Sequence, residues 1–462
     1  MVLGNWLALV IVVGGFAVCA VALAWQARPH RGRPEQWAIG DLRPGPEGVT
    51  DIDHYSERAA RYGSVFKSSF YERPSCCIVD LELASAVFRE HRGDLPPSWD
   101  SPGRFVPGGS IRGSDDDARN AELRLLYARS LTAGLVRSWE PALDLRIDGA
   151  LAALTTQSEA ATDGVAPRPA IRALVRAIWC ELFLGIGPLA PEFAEVDELV
   201  RVLDPDRHLY AEAITDAEVE AGLDRLAELV RRARETRDRA LVATTWAEAF
   251  EAQRLGALTD PALVRNLIYS TVTSYDDVSG LLAWVLWYVA EQPHWVDRMR
   301  AEPECAELLA DRFVSETLRL AQSEVVIREA RVDVHVGDVT IPKGWLVRAC
   351  VRESHRDATK FPDPERFDPD RFSGDAIGRD RYSPFGLDHR SCLGEHVARA
   401  AGRAVVLSIV RGFDVATVRT GAAELSEKRH WAPSSRWSVR VRPRAEADAV
   451  CERAGVEDAS AS

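Results

Sequence analysis

Cys392 stands at a boundary between two kinds of sequence. Before it lies a loop with Pro384 and Gly386, which interrupt regular structure, and after it Val397, Ala400, Ala401, Ala404, Val405 and Ile409 share one helical face. This pattern puts the cysteine at the first turn of a helix, facing unpaired N–H groups and the positive end of the dipole. Both favour the thiolate, the form that binds metal. With no second Cys or His at chelate spacing, one strongly donating thiolate suits an axial haem ligand better than zinc. Arg390, two residues earlier, could pair with a haem propionate through its guanidinium fork. An ordinary buried thiol fits the same stretch equally well.

Two other groups of residues could do chemistry. Asp260-Pro261 is a helix start, an N-cap followed by Pro at N1, and an apolar helical pattern then runs to about Glu291, with Pro293 as a stop. A helix of ~30 residues is ~45 Å long, enough to cross a domain. Ser270 to Asp277 interrupt it, and two acids inside a core-like pattern are costly unless they are functional, face water or pair with Arg. Further on, Glu316 and Arg319 meet at i, i+3 on a helix over 305–321, a spacing that by itself describes a surface ion pair.

Phe385-Gly386-x-x-x-Arg390-x-Cys392-x-Gly394 resembles the haem-binding signature of the cytochrome P-450 superfamily, and matches upstream extend the resemblance over nearly the whole chain beyond the first ~40 residues. The resemblance implies a mainly α fold with small β-sheets, haem b as cofactor, Cys392 as its axial thiolate and metal ligand, and Phe385, Gly386, Arg390 and Gly394 around it. The family usually has Gly where this chain has Asp388; Asp tolerates a positive-φ turn better than most residues. The helix over 117–132 is similar to the one whose paired side chains point at the haem propionates, here Asn120 and Arg124, and Arg328 matches a further propionate ligand. Glu316-x-x-Arg319 with Arg366, of Pro364-Glu365-Arg366-Phe367, resembles a buried triad that supports the cysteine loop. His355-Arg356-Asp357 and Phe361-Pro362-Asp363 continue the match.

The long helix resembles the family's I helix, which passes over the haem. Where the family has Ala-Gly-x-acid-Thr, this chain has Thr273-Ser274-Tyr275-Asp276-Asp277. The acid is kept as Asp276 and the alcohol becomes Asp277, which can donate a hydrogen bond only when protonated. Asp276, Asp277 and Ser274 are the candidates for proton delivery; Thr273 and Ser279 are further hydroxyls within reach.

The chain has 462 residues, 46% of them hydrophobic, enough for a large core, and its net charge of −13 argues against nucleic acid as a partner. Eight scattered cysteines without zinc-like pairing point to a reducing compartment. Residues 6–25 carry no charge, are bracketed by Trp6 and Trp25, and precede Arg28, Arg31 and Arg33; this reads as a single-pass transmembrane helix with the body of the protein on the cytoplasmic side, a cleaved signal peptide being the rival. The organisation expected is an anchor over 1–27, a Pro-rich linker over 28–50, one haem domain over 51–442 and a disordered tail over 443–462. Residues 93–114 read as a long irregular loop, and such loops are usually functional.

The resemblance therefore implies a membrane-tethered haem-thiolate monooxygenase acting on a small lipophilic substrate, with electrons from NAD(P)H through a separate ferredoxin or flavoprotein reductase. That partner would dock near Cys392, where Arg379, Arg381, His389 and Arg399 supply positive charge. Loss of the distal Thr leaves room for a non-hydroxylating or peroxide-driven oxidation, and a degenerate haem-binding protein without turnover is the reading from another class.

Overall fold

Residues 325–354 return to the strands near the start of the chain, and this splits the molecule into two compact units where the sequence reads as one haem domain: Met1–Ser98 with Val325–Ser354, and Trp99–Glu324 with His355–Ser462. The computed structural model describes residues 39–40, 51–70, 73–98, 117–203, 215–236, 246–254, 256, 259–321, 325–425 and 431–444. The expected anchor, most of the Pro-rich linker and of the loop over 93–114, and all but the first residues of the tail lie outside these. No helix among the described residues is long and apolar enough to cross a membrane.

The first unit is built on a five-stranded sheet. Its strands are β1 (Ile39–Gly40), β2 (Val65–Phe70), β3 (Arg73–Ile78), β4 (Val325–Glu329) and, beyond the hairpin of β5 (Val334–Val336) and β6 (Val339–Ile341), β7 (Leu346–Cys350), in the order β1-β2-β3-β7-β4. Strand β3 begins at Arg73, with Phe70 opposite Arg73 and Ser69 opposite Pro74. Pro74 is tolerated there because pairing of β3 with β7 starts only at Ser75, so its missing N–H breaks no bond to that strand. Helices α1 (His54–Tyr62) and α2 (Leu81–Glu90) complete the unit; Asp80 caps α2, its carboxylate accepting from the Glu82 and Leu83 amides.

The second unit is helical. It comprises α3 (Asp117–Ser130), α4 (Ala133–Ala160), α5 (Arg168–Trp179) running into a π turn at Cys180–Leu184, α6 (Phe193–Val202), α7 (Asp216–Thr236), α8 (Trp246–Gln253), α9 (Pro261–Glu291), α10 (Pro293–Ala301), α11 (Ala306–Ala321) and α12 (Glu395–Gly412). Short antiparallel pairs join β8 (Phe413–Arg419) to β11 (Ser438–Pro443) and β9 (Glu424–Leu425) to β10 (Trp431–Ala432). The long helix α9 starts where the sequence expects: the Asp260 carboxylate accepts from the Ala262 amide and Pro261 takes N1. Most of α9 is buried, packed against α5, α7, α11 and α12. Gly402 lets α12 approach closely, since a Cβ there would lie 3.1 Å from a Val314 methyl on α11.

Candidate active site

The loop before α12 is held by its own backbone. The Gly386 amide donates to Ser383 O, the Ser383 hydroxyl donates to Gly386 O, and the Cys392 amide donates to Phe385 O at 2.7 Å, so the chain doubles back to present the cysteine. This needs positive φ at Gly386 (87°) and Asp388 (60°). Asp388 meets the requirement as an Asx turn, its Oδ1 accepting from the Arg390 amide at 2.7 Å, which explains how Asp stands where Gly is usual. Gly394 is the N-cap and α12 begins at Glu395. Cys392 thus lies two residues before the cap and not in the first turn, because its amide closes the loop on Phe385 O. Its side chain is exposed, and a Cβ at Gly394 would sit 3.7 Å from Sγ, in ordinary van der Waals contact.

Three of the expected cofactor ligands converge beside this loop. Asn120 and Arg124 share a face of α3. Arg124 donates to Ser391 O at 2.6 Å, and Arg390 donates to the Oδ1 of Asn120, which is buried. Arg390 also donates from Nε to His389 Nε2 at 3.3 Å, and His389 Nδ1 lies 3.4 Å from Asp388 Oδ1. Asn120 therefore works here as an acceptor that orients the guanidinium of Arg390. Arg328 belongs to the first unit, where it is buried with its guanidinium over the Phe88 ring at 5.2 Å and Nη1 donating to Ile327 O. Of the cations expected on the docking face, Arg399 is turned inward: it donates to Ser315 and Glu395 and lies over the Phe385 ring at 5.1 Å. Arg379 pairs with Glu395 at 3.0 Å.

Behind the loop lies a buried ion cluster. Glu316 and Arg319 are both fully buried and form a fork-to-fork pair at 2.7 and 2.9 Å. Arg319 also donates to His355 O, Pro364 O and Arg366 O. The third member is Arg371, not Arg366. Arg371 donates to Glu316 at 3.3 Å and to the carbonyls of Pro362 and Asp363. The Arg366 side chain is 68% exposed and comes only within 4.0 Å of Asp368. The sequence carries the pattern Pro-acid-Arg-Phe twice, at 364–367 and again as Pro369-Asp370-Arg371-Phe372. The second copy folds as a 3-10 turn capped by Asp368, whose amide itself donates to Glu316, and this aims Arg371 inward. That repeat is the signal by which Arg371 could have been found.

On α9 the two acids separate. Asp276 is buried and pairs with Arg172 of α5 at 3.1 Å; the same guanidinium donates to the Tyr275 hydroxyl. Asp277, the next residue, is half-buried and lies about 100° further round the helix. Thr271, Thr273, Ser274 and Ser279 each donate their hydroxyl proton to the carbonyl one turn back in α9. Ser274 in addition accepts from the Trp179 indole at 2.7 Å, so it ties α9 to α5. Arg172 and Trp179 carry no local sequence signal for these roles, since the contacts join helices about a hundred residues apart.

The arrangement fits a haem: one exposed cysteine on a constrained loop, with two guanidinium groups alongside for carboxylates. A model of the cytochrome P450 family matches residues 50–436. Among curated proteins, a beta-amyrin 6-beta-monooxygenase of Solanum lycopersicum is 30% identical over 174 residues, covering 34% of this chain and 37% of the relative. A putative cytochrome P450 135B1 of Mycobacterium tuberculosis is 29% identical over 261 residues, 54% and 51% of the two chains, and an abscisic acid 8'-hydroxylase 2 of Arabidopsis thaliana is 31% identical over 166 residues, 32% and 34%. The matched stretch thus spans about a third to a half of these relatives. A retinoic-acid-bound cyanobacterial CYP120A1 has the same fold, with a TM-score of 0.73 at 18% identity over 88% of this chain and 99% of that one. With the cysteine loop, the buried ion cluster and a family match over most of its length, the chain belongs to the cytochrome P450 family, haem-thiolate oxidoreductases whose iron is bound by a cysteine.

Proposed function

We propose that this protein is a monooxygenase that inserts one oxygen atom of O2 into a small, lipophilic organic substrate, with electrons from NAD(P)H through a separate ferredoxin or flavoprotein reductase. The observation that carries this is the Cys392 loop: a fixed backbone, an exposed cysteine, and Arg390, Arg124 and Asn120 beside it. When bound, the haem would supply dioxygen activation at a thiolate-ligated iron. Cys392 Sγ would be that ligand, and Arg124 and Arg390 would hold propionate carboxylates. Asp276, ion-paired to Arg172, serves as a fixed anion that orders α5 against α9. Asp277 is then the group at the alcohol position that can hold a proton on its carboxyl oxygen. The relatives named for acting on beta-amyrin and abscisic acid support a small organic substrate. The charge-free run 6–25 followed by Arg28, Arg31 and Arg33 supports a single-pass anchor with the catalytic body on the cytoplasmic side; carbonate extraction of membranes carrying the full chain and a chain lacking 1–27 tests it, and release of both would remove the anchor.

A non-hydroxylating or peroxide-driven oxidation is the second reading. It is favoured by the hydroxyls of Thr271, Thr273, Ser274 and Ser279, each of which donates to a carbonyl of α9. A screen for ligands that shift the Soret band supplies a substrate, and turnover under labelled O2 separates the readings. One labelled oxygen in the product supports the monooxygenase; product without label supports the second reading; no product with any shifting ligand supports a haem protein without turnover. Asp277→Thr and Asp277→Asn then report on proton delivery through the coupling of NAD(P)H consumption to product, and indifference to both removes Asp277 from it.

A further inference from the structure

His355 joins the buried ion cluster to the cysteine loop. It is fully buried in the second unit, stacked on Tyr382 with ring centroids 5.2 Å apart at 30°. Its backbone carbonyl accepts from Arg319 Nη1 at 2.8 Å, so the cluster fixes its main chain. Its ring reaches the other way: Nε2 accepts from the Ser383 amide at 3.0 Å. Ser383 then opens the turn that closes on Gly386 and, through Phe385 O, on the Cys392 amide. Since Nε2 must offer a lone pair, the imidazole is neutral with its proton on Nδ1, and Nδ1 has no hydrogen-bond partner among the described residues. A buried orphan donor is costly, and the ring accepts that cost while its other nitrogen is spent on one loop amide.

We propose that His355 is the positioning residue through which the Glu316–Arg319–Arg371 cluster sets the turn that presents Cys392, acting by the acceptor lone pair on Nε2. The role rests on Cys392 being the haem thiolate, and the test separates the two claims. His355→Phe keeps the ring and its stacking on Tyr382 but loses the acceptor. His355→Gln places an amide oxygen near the position of Nε2. Two readouts are taken on the haem-loaded protein: amide hydrogen exchange over residues 382–386, and the share of the reduced CO complex in the red-shifted, thiolate-ligated form.

Loss of one acceptor for a buried amide predicts exchange faster by roughly 10- to 100-fold in His355→Phe, with part of the CO complex moving to the unshifted form. His355→Gln restores both toward the native values, which loss of ring packing alone would not allow. Native behaviour of His355→Phe in both readouts overturns the proposal, and so does a His355→Gln variant as defective as His355→Phe. If the native protein itself gives no red-shifted form, the thiolate reading fails, and the exchange data alone decide whether His355 sets the turn.

Discussion

Replacing Arg371 with Leu tests the support of the cysteine loop, because it separates two arginines that the sequence makes near-equivalent. Arg371 shares the fully buried Glu316 carboxylate with Arg319 and donates to carbonyls on the segment 362–366. Removing one partner of a buried ion pair costs roughly 3–5 kcal/mol because a charge is left uncompensated. Arg319 still neutralises Glu316 in this variant, which moves the expectation to the lower end, while the lost carbonyl contacts add to it. With roughly 2.1 cal/mol/K of unfolding entropy per residue, a unit of about 330 residues shifts by roughly 1.4 °C per kcal/mol, so the melting temperature should fall by about 4–5 °C. Arg366→Ala removes an exposed side chain and should change stability by no more than about 0.5 kcal/mol. Thermal unfolding of the haem-loaded protein, followed at the Soret band and by circular dichroism, measures both. A destabilised Arg366→Ala beside a native-like Arg371→Leu would refute the assignment of the cluster.

Further predictions follow from single contacts. Asp388→Ala loses the Asx bond and keeps the positive φ, and should lower the urea midpoint by an amount worth roughly 1–2 kcal/mol, whereas Asp388→Gly loses the bond but relieves the backbone and should be near neutral. Burial, then the neighbouring Arg319 guanidinium, lowers the His355 pKa to about 3. Below its unfolded value near 6.5 the unfolded chain binds a proton that the folded chain refuses, so this residue makes stability fall as pH drops from about 6.5 toward 3, by up to about 1.4 kcal/mol per pH unit, and contributes no pH dependence above that window. Unfolding titrations of native and His355→Gln protein between neutral pH and pH ~4.5 should show the shallower slope in the variant. Arg172→Met removes the 3.1 Å pairing with the buried Asp276 carboxylate and should cost roughly 1–3 kcal/mol, discounted because Arg172 is partly exposed; adding Asp276→Asn should recover part of it in a double-mutant cycle.

Much of the helical unit could be read from local signals. Asp260-Pro261 set the start of α9, Glu316 and Arg319 met as their spacing required, and Asp388 took the positive φ that its side chain tolerates. Local rules failed where a contact joins distant segments. Arg366 and Arg371 sit in near-identical words, and only the fold of the turn over 369–372 turns the second inward. The pairing of Asp276 with Arg172 depends on how α5 crosses α9, which no pattern in either helix specifies. The division into two units depends on β7 pairing with β3 across more than 250 residues of sequence. Cys392 lies three residues before α12, and not in its first turn, for the opposite reason: the helical pattern of apolar residues does not reveal that the Cys392 amide closes the loop on Phe385 O.

The central claim is that the Cys392 sulfur is the axial ligand of a haem. The reduced CO-difference spectrum of the haem-loaded protein, taken beside Cys392→Ser, tests it most directly. A red-shifted Soret band in the native protein that is lost in Cys392→Ser is the predicted result. A native spectrum without that band, or a Cys392→Ser variant that keeps it, would contradict the claim.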